Sequence, residues 1–146
     1  MFYLEKPNNF LSKFQIVICY LIHGDEILFL RRKKGKFQGE MWTAPGGKQD
    51  EGETLLNSII REVKEETNID LQEEKIFDIG NFYVRNNIDF KINIFKVYLD
   101  KKLDVKLHED EHDEYKWVNK KDVLSLNLID DGDNCFINTF DIHATI

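Results

Sequence analysis

The distribution of apolar and polar residues along this chain first predicts a pair of strands. Residues 14–22 and residues 26–31 are two largely apolar runs, and the turn-forming segment 23–25 separates them. Short apolar runs bounded by turn residues are typical of strands that are buried on both faces. We therefore expect a hairpin here, preceded by residues 1–12 as an irregular arm or a short edge strand.

The second half of the chain repeats the strand pattern and then changes to a helical one. A change of phase at Ile94 and Phe95 indicates either a bulge or burial on both faces of a strand. The patterns predict strands over residues 75–84, 88–100 and 115–118, a short helix over residues 120–126 capped by Asn119, and a last helix that carries Phe136, Ile137, Phe140 and His143, with Asp133 as a candidate cap.

The most informative pattern is the helical one in the middle of the chain. Glu53 and Thr54 precede it, where an oxygen-bearing side chain can accept from free backbone N–H groups. A second face of the helix carries Glu62, Glu65 and Glu66. The apolar stripe, at helical spacing, consists of Leu56, Ile59, Ile60, Val63 and Thr67.

Three carboxylates on one helical face are unfavourable unless something neutralises them. Like charges four residues apart oppose helix formation by about 0.2–0.5 kcal/mol per pair, so the pattern indicates either a solvated surface or a bound cation. Oxygen ligands suit a hard cation such as Mg²⁺ or Mn²⁺, whereas zinc would require thiolate or imidazole. Arg61 adjoins this face and is expected to pair with Glu53, fixing a carboxylate without binding metal.

The residues that flank this helix favour the bound cation. Pro45, Gly46 and Gly47 lead into it, and the segment fits Gly-x5-Glu-x7-Arg-Glu-(aliphatic)-x-Glu-Glu-x-Gly-(aliphatic). This pattern resembles the Nudix box, the signature of the Nudix hydrolases. Asn68 stands where that family usually has glycine, and we expect little effect because asparagine tolerates left-handed backbone better than most residues. The matching positions are Gly47, Glu53, Arg61, Glu62, Val63, Glu65, Glu66 and Ile69.

The resemblance implies a fold and a reaction. The fold is α/β, the Nudix α/β/α sandwich, in which a mixed, curved sheet carries the box helix on one face and the C-terminal helix on the other. The reaction is divalent-metal-dependent hydrolysis of a nucleoside diphosphate linked to another group. The resemblance assigns Arg61 and Glu53 to support of the site, and it assigns the metal to Glu62, Glu65, Glu66 and the carbonyl of Gly46.

A second acidic cluster, residues 108–114, precedes the strand predicted late in the chain. Such a run is normally a solvated loop, but Nudix domains often place a further catalytic glutamate here. We favour Glu111 as this catalytic and metal-binding residue, with Glu109 and Glu114 as alternatives. His112 is expected to be a surface residue, although it could donate to a substrate. Glu65, Glu66 or Glu111 would act as the base that takes a proton from water.

Candidates for substrate binding flank the box. Arg31 ends a strand that is expected to lead to the site, and its guanidinium suits a phosphate, although a solvated loop position also explains it. Trp42 is expected either to pack in the core or to stack on a base. Asp130, Asp131 and Asn134 lie where related purine triphosphatases often bind the base, although ordinary loop chemistry also explains them.

The favoured substrate follows from the residues around the box. They most resemble the bacterial mutator-type enzymes that remove oxidised dGTP, so we expect a purine nucleoside triphosphate, modified or not, to be cut to the monophosphate and pyrophosphate. A dinucleoside polyphosphate, ADP-ribose or NADH hydrolase would use the same helix, and Tyr83 lies roughly where dinucleoside polyphosphate hydrolases carry a tyrosine. A non-catalytic nucleotide-binding module is another alternative, but such modules typically lose box glutamates, and all are present here.

Composition bears on the size of the domain, its cellular location and its binding partners. A chain of 146 residues with 42% hydrophobic content can bury a substantial core, so we expect residues 1–146 to form a single Nudix domain. The net charge of −7 argues against nucleic acid as a partner, and no segment is long enough to cross a membrane. Cys19 and Cys135 form no disulfide framework, and the N-terminus lacks a signal-peptide pattern. We therefore expect a cytoplasmic protein, monomeric or homodimeric, that acts on a small-molecule nucleotide.

Overall fold

Eight strands form one mixed sheet in residues 1–140, the part of the chain that the computed structural model describes. His143, which the sequence places on the last helix, lies outside the described residues. The strands are β1 (Phe2–Tyr3), β2 (Ser12–His23), β3 (Glu26–Arg32), β4 (Trp42–Thr43), β5 (Gly46–Lys48), β6 (Phe77–Arg85), β7 (Asp89–Tyr98) and β8 (His112–Asn119). The helices are α1 (Leu55–Thr67), α2 (Gly132–Phe140) and two short 3-10 helices, Glu73–Lys75 and Lys120–Ser125. None of these helices has the length and apolar character needed to span a bilayer.

Strand β2 is the centre of the sheet. It pairs in parallel with β7 along one edge, and along the other edge it pairs antiparallel with β5 and, next to the turn, with β3. The predicted hairpin is confirmed, since Gly24 and Asp25 join β2 to β3. Gly24 has a φ of 58°, a conformation that glycine adopts without steric cost. Beyond the turn β3 pairs with β8, and β5 takes the free edge of β2.

Apolar residues of the central strands face both sides of the sheet, as their continuous runs predicted. In β3, Leu28 belongs to the buried cluster that contains Val63 of α1, whereas Phe29 belongs to the cluster that contains Phe136 of α2. Successive residues of a strand point to opposite faces, so the two helices cover opposite faces of the sheet. The α/β class and the predicted α/β/α sandwich are confirmed.

The change of phase predicted at Ile94 and Phe95 has its cause in a neighbouring strand. Both residues are at most 2% exposed, so β7 is buried on both faces at this point. The extra residue of the bulge is Ile79 on β6, where the pairing of β6 with β7 shifts by one position. The sequence of β7 thus indicated the irregularity, but its location depends on the partner strand.

Short elements and element boundaries account for the other differences from the sequence pattern. Strands β4 and β5 have only two and three residues, too few for a periodic pattern. Strand β8 begins at His112, so the second half of the acidic cluster is strand and not loop. Helix α2 begins at Gly132, which places Asp133 inside the first turn instead of at the cap.

The box helix α1 has the ends that its sequence predicts. Thr54 is the N-cap, and its side-chain oxygen accepts from the N–H of Asn57 at 3.0 Å. At the other end, Asn68 is left-handed, with φ 63° and ψ 18°, and its N–H donates to the carbonyl of Lys64 at 3.0 Å. Asparagine therefore adopts the backbone conformation that glycine usually supplies at this position.

This conformation predicts the effect of replacing Asn68. Asn68→Gly should change the free energy of unfolding only slightly, because both residues enter the left-handed region, whereas Asn68→Ala should cost about 1–2 kcal/mol. Urea unfolding of the two variants measures the difference. A glycine variant less stable than the alanine variant would show that the side chain, not the backbone conformation, decides this position.

Candidate active site

Two glycines of β5 bring the carboxylates of α1 close to the strand. The N–H of Gly46 donates to Oε1 of Glu66 at 2.7 Å. A Cβ on Gly47 would collide with the carboxyl group of Glu62, and a Cβ on Gly46 would collide with the backbone of β2 at Val17. The absence of a side chain at Gly46 therefore lets β5 pair closely with β2, and its absence at Gly47 leaves room for the carboxyl group of Glu62 beside β5.

Four glutamates share one cavity beside this contact. Glu62, Glu65, Glu66 and Glu111 line a space of about 480 Å³, which we call the acidic cavity. Its remaining lining residues are Arg32, Gly46, Gly47, Lys48 and His108. Glu111 reaches the cavity from the loop before β8, where its carbonyl accepts from the N–H of Lys33 at 2.9 Å. Among the described residues, the alternatives Glu109 and Glu114 are not part of this lining.

Arg61 binds the acidic side chains around α1. Its Nε and Nη2 donate to Glu53 at 2.8 and 2.9 Å, and its Nη1 donates to Glu62 at 2.9 Å and to Glu65 at 3.2 Å. The bonds from Arg61, together with the N–H of Asp50, lower the pKa of Glu53 to about 2. The expected pair of Arg61 and Glu53 is present, and it keeps Glu53 ionised.

Glu62 and Glu66 are in unfavourable surroundings for their negative charge. Only 13% of the Glu62 side chain and 12% of the Glu66 side chain are exposed. Burial raises the pKa of Glu62, and the charge of Arg61 offsets only part of this effect. Burial also raises the pKa of Glu66 well above its ordinary value, despite the bond from Gly46, and the charges of Glu62 and Glu111 raise it further. A cation in this cavity would relieve the repulsion.

The donor chemistry of the acidic cavity fits Mg²⁺ or Mn²⁺, because its acidic ligands are all carboxylates and hard cations prefer oxygen. Within residues 1–140, however, no group of three or more His, Cys, Asp or Glu side chains lies close enough together to hold a metal ion. Arg61 holds two of the four cavity carboxylates, Glu62 and Glu65, in its own hydrogen bonds. Binding of a cation would therefore exchange contacts to Arg61 for contacts to the metal.

A second cavity opens beside the first. It has a volume of about 560 Å³, it is lined mainly by apolar side chains, and we call it the apolar slot. Trp42 lies in its wall but is only 7% exposed, which agrees with the expected packing in the core. Residues common to the acidic cavity and the apolar slot are Arg32, Gly46, Gly47 and Glu66.

Two of the three predicted base-binding residues line this slot. Asp130 and Asp131 are part of its lining. Asp130 accepts from Nε2 of Gln38 at 3.1 Å and donates its N–H to Oε1 of Gln38 at 3.0 Å, which connects the loop before α2 to the loop before β4. Asn134 is one step removed, because its side-chain amide donates to Asp131 at 3.0 Å.

The structure does not bring Arg31 to either cavity. Its Nε donates to Asp113 at 2.8 Å, and both side chains are about one-third exposed. Arg32, the next residue, lines both cavities instead. Sequence reasoning missed it because the strand was expected to end at Arg31. The alternation of β3 contains the signal, since Leu28 and Leu30 face α1 and Arg32 is the next residue in that phase.

The expectation that His112 lies at the surface is wrong. The residue is 1% exposed, because β8 begins there and turns the side chain inward. It lines the apolar slot, and its Nδ1 lies 3.9 Å from Oε2 of Glu66. Burial, followed by the charge of Arg32, lowers the pKa of His112 to about 4, so the ring is neutral at physiological pH.

Comparison with known proteins identifies the family of this chain. The family model of the NUDIX domain matches residues 13–140. The chain belongs to the Nudix family. Nudix hydrolases act on nucleoside diphosphates linked to another group, and they generally use divalent metal ions.

Individual Nudix proteins are similar over most of their length. An uncharacterized Nudix hydrolase of Bacillus subtilis (strain 168), YvcI, is 27% identical over 130 residues, which are 88% of this chain and 74% of that protein. An 8-oxo-dGTP diphosphatase of Buchnera aphidicola (subsp. Schizaphis graminum, strain Sg) is 27% identical over 113 residues, 77% of this chain and 82% of that protein. The crystal structure of a MutT protein from Methanosarcina mazei Go1 has a TM-score of 0.75 at 27% identity, and the match covers 91% of this chain and 96% of the other. The Nudix fold and the hydrolase class expected from the box are confirmed.

The buried charge of Glu66 predicts a gain in stability when it is removed. Glu66→Gln keeps an oxygen that can accept from Gly46 and removes a charge that burial disfavours and that Glu62 and Glu111 repel. A carboxyl group with a raised pKa destabilises the fold at pH values above its ordinary pKa. The variant should therefore unfold at a higher temperature than the wild type at neutral pH in EDTA.

The matched control is Glu65→Gln, since 56% of the Glu65 side chain is exposed. That variant should unfold close to the wild-type temperature. A Glu66→Gln protein that unfolds at a lower temperature than the wild type would contradict the account of repulsion in the acidic cavity.

Proposed function

We propose that this protein hydrolyses a purine nucleoside triphosphate, modified or unmodified, to the monophosphate and pyrophosphate with the help of Mg²⁺ or Mn²⁺. One observation carries the proposal. The acidic cavity and the apolar slot are continuous through four residues, Arg32, Gly46, Gly47 and Glu66. A nucleoside triphosphate has the same division into a polyanionic part and a flat, weakly polar part.

The acidic cavity is the place for the phosphates. A bound divalent cation would neutralise phosphate oxygens and lower the pKa of a water molecule. Glu62, Glu65, Glu66, Glu111 and the carbonyl of Gly46 would hold it. Arg61 keeps Glu53 and the helix side chains in place, and it is the group that must release Glu62 and Glu65.

The proton that leaves the attacking water needs an acceptor in the same cavity. Glu65, Glu66 and Glu111 are the candidates, and they line this cavity together with Glu62. Whichever of them stays free of the metal would serve as the general base. Glu66 is the most buried of the box carboxylates, which suits a ligand, and Glu111 comes from a loop separate from the helix, which suits a base.

The apolar slot is the place for the nucleoside. Trp42 offers an aromatic surface within it, and Asp130 and Asp131 supply hydrogen-bond acceptors for the edge of a base. Because Asn134 binds Asp131, it would orient that carboxylate. Carboxylate oxygens accept from N–H groups, such as the N1–H and N2–H₂ groups of guanine, although other bases also carry N–H groups, so the choice of a purine rests on the family resemblance. The similarity to an 8-oxo-dGTP diphosphatase supports the choice of a modified purine as the first substrate to test.

A panel of nucleotides tests the proposed reaction. We compare kcat/KM for dGTP, 8-oxo-dGTP, dCTP, ADP-ribose and diadenosine tetraphosphate, with Mg²⁺ and with EDTA, and we separate pyrophosphate from phosphate as products. A purine triphosphate should lead the panel, pyrophosphate should be released, and EDTA should abolish turnover. ADP-ribose or diadenosine tetraphosphate ahead by more than tenfold would refute the triphosphatase proposal, and equal turnover in EDTA would refute the metal proposal.

Variants of the slot test the placement of the base separately. Asp130→Ala, Asp131→Ala and Asn134→Ala should change the ranking of bases, because a site with unpaired polar groups discriminates against analogues that lack a partner for them. Thr139→Ala is a matched control, since its hydroxyl donates to the Cys135 carbonyl within α2. An unchanged ranking in all three slot variants would mean that the base binds elsewhere.

Two neighbouring arginines give a further prediction. Arg32→Ala should lower kcat/KM roughly 10- to 150-fold, the effect of losing one charge-assisted hydrogen bond to a phosphate. Arg31→Ala should change kcat/KM by only a few fold, because the exposed pair with Asp113 contributes little. Steady-state kinetics of the two variants make the comparison. A larger loss of kcat/KM in Arg31→Ala than in Arg32→Ala would assign the phosphate contact to Arg31 instead.

A further inference from the structure

His112 has two ring nitrogens without a hydrogen-bond partner. The side chain is 1% exposed, and neither Nδ1 nor Nε2 is bonded to any group in the described part of the chain. Buried polar atoms in folded proteins nearly always have a partner, so each exception requires an explanation. An apolar side chain of similar size would fill this position without that penalty.

A β-bulge turns His112 toward the interior. In the pairing of β3 with β8, Arg31 lies opposite Glu114 and Arg32 lies opposite His112, which leaves Asp113 as the extra residue. The Asp113 side chain bonds Arg31. Bulges next to active sites commonly re-aim a side chain. Without the extra residue, the alternation of β8 would place His112 on the opposite face.

One carboxylate oxygen lies close to the buried ring. Nδ1 of His112 is 3.9 Å from Oε2 of Glu66, which is too long for a hydrogen bond but short enough to close with a small movement. The other oxygen of that carboxylate, Oε1, already accepts from the N–H of Gly46 at 2.7 Å. The carboxyl group of Glu66 therefore has one oxygen fixed by β5 and one oxygen facing His112.

We propose that His112 is a positioning residue for Glu66, and that its Nδ1–H donates to Oε2 of Glu66 when a divalent cation is bound in the acidic cavity. The inference rests on the proposed metal role of Glu66. Hydrogen bonds to a ligating carboxylate fix its orientation, and their loss typically lowers metal affinity or activity about 10- to 100-fold. The imidazole of His112 therefore serves to orient the carboxylate of Glu66, and it does not serve to stabilise the fold.

Four forms of the full chain test the proposal: wild type, His112→Leu, His112→Asn and His112→Gln. Asparagine places an amide N–H near the position of Nδ1, glutamine places one near Nε2, and leucine has no donor. We measure the Kd for Mn²⁺ without nucleotide, the unfolding temperature in EDTA, and kcat and KM separately. The metal titration needs no turnover, so it does not depend on the identity of the substrate.

The proposal expects the leucine and glutamine variants to bind Mn²⁺ about 10- to 100-fold more weakly than the wild type. Their kcat should fall with little change in KM for the nucleotide, and His112→Asn should keep most of the affinity. His112→Leu should unfold at the wild-type temperature or above it in EDTA, because two unsatisfied polar atoms are removed.

Other results overturn the inference. If His112→Leu or His112→Gln binds Mn²⁺ as tightly as the wild type, His112 has only a structural role. In that case the variant protein should also unfold at a lower temperature than the wild type. Equal weakening in the asparagine and glutamine variants would also refute a specific bond from Nδ1, and this comparison stands even if the leucine variant fails to fold. A wild-type protein that binds no Mn²⁺ would refute the proposed function itself, and the inference with it.

Discussion

The close contact between the glycine strand and the box helix is the constraint on which the site depends. Strand β5 pairs so closely with β2 that Gly46 has no room for a side chain, and the Glu62 carboxyl group of α1 lies where a Cβ on Gly47 would be. Burial of Ile59 and Val63, both 0% exposed, supplies the attraction, at about 1.5–3 kcal/mol for each side chain. Apolar packing on one side of α1 thus holds carboxylates on its other side against their mutual repulsion.

The charges of the site are balanced only in part. Arg61 binds Glu53, Glu62 and Glu65, whereas Glu66 and Glu111 share their cavity with the cations Arg32 and Lys48. Burial and the neighbouring carboxylates raise the pKa of Glu66 in this position. A divalent ion bound here, as proposed, would compete with Arg61 for the carboxylates of Glu62 and Glu65.

Local features of the sequence predicted the box helix well, because its determinants are local. The apolar stripe, the Thr54 cap and the left-handed Asn68 depend only on residues within a few positions. The carboxylate face of the helix is predictable for the same reason, and the four glutamates chosen from the sequence do line one cavity.

Features that depend on where a strand ends, or on how strands pair, were missed from the sequence. Arg32 rather than Arg31 reaches the cavities because β3 continues one residue further than its apolar run. His112 is buried because a bulge at Asp113 changes the phase of β8, and a single strand sequence does not contain the register of its partner. The apolar slot is formed by β2, β7, the loop before β4 and the loop before α2, which meet only in the folded chain.

The central claim is that the acidic cavity holds a divalent cation against the box carboxylates. Crystals soaked with MnCl₂ and measured for anomalous scattering test it most directly. The account predicts a manganese peak within coordination distance of Glu66 and the Gly46 carbonyl, with the Glu62 or Glu65 carboxylate released from Arg61. Manganese bound only outside this cavity, or an intact set of Arg61 bonds beside an empty cavity at saturating Mn²⁺, would contradict it.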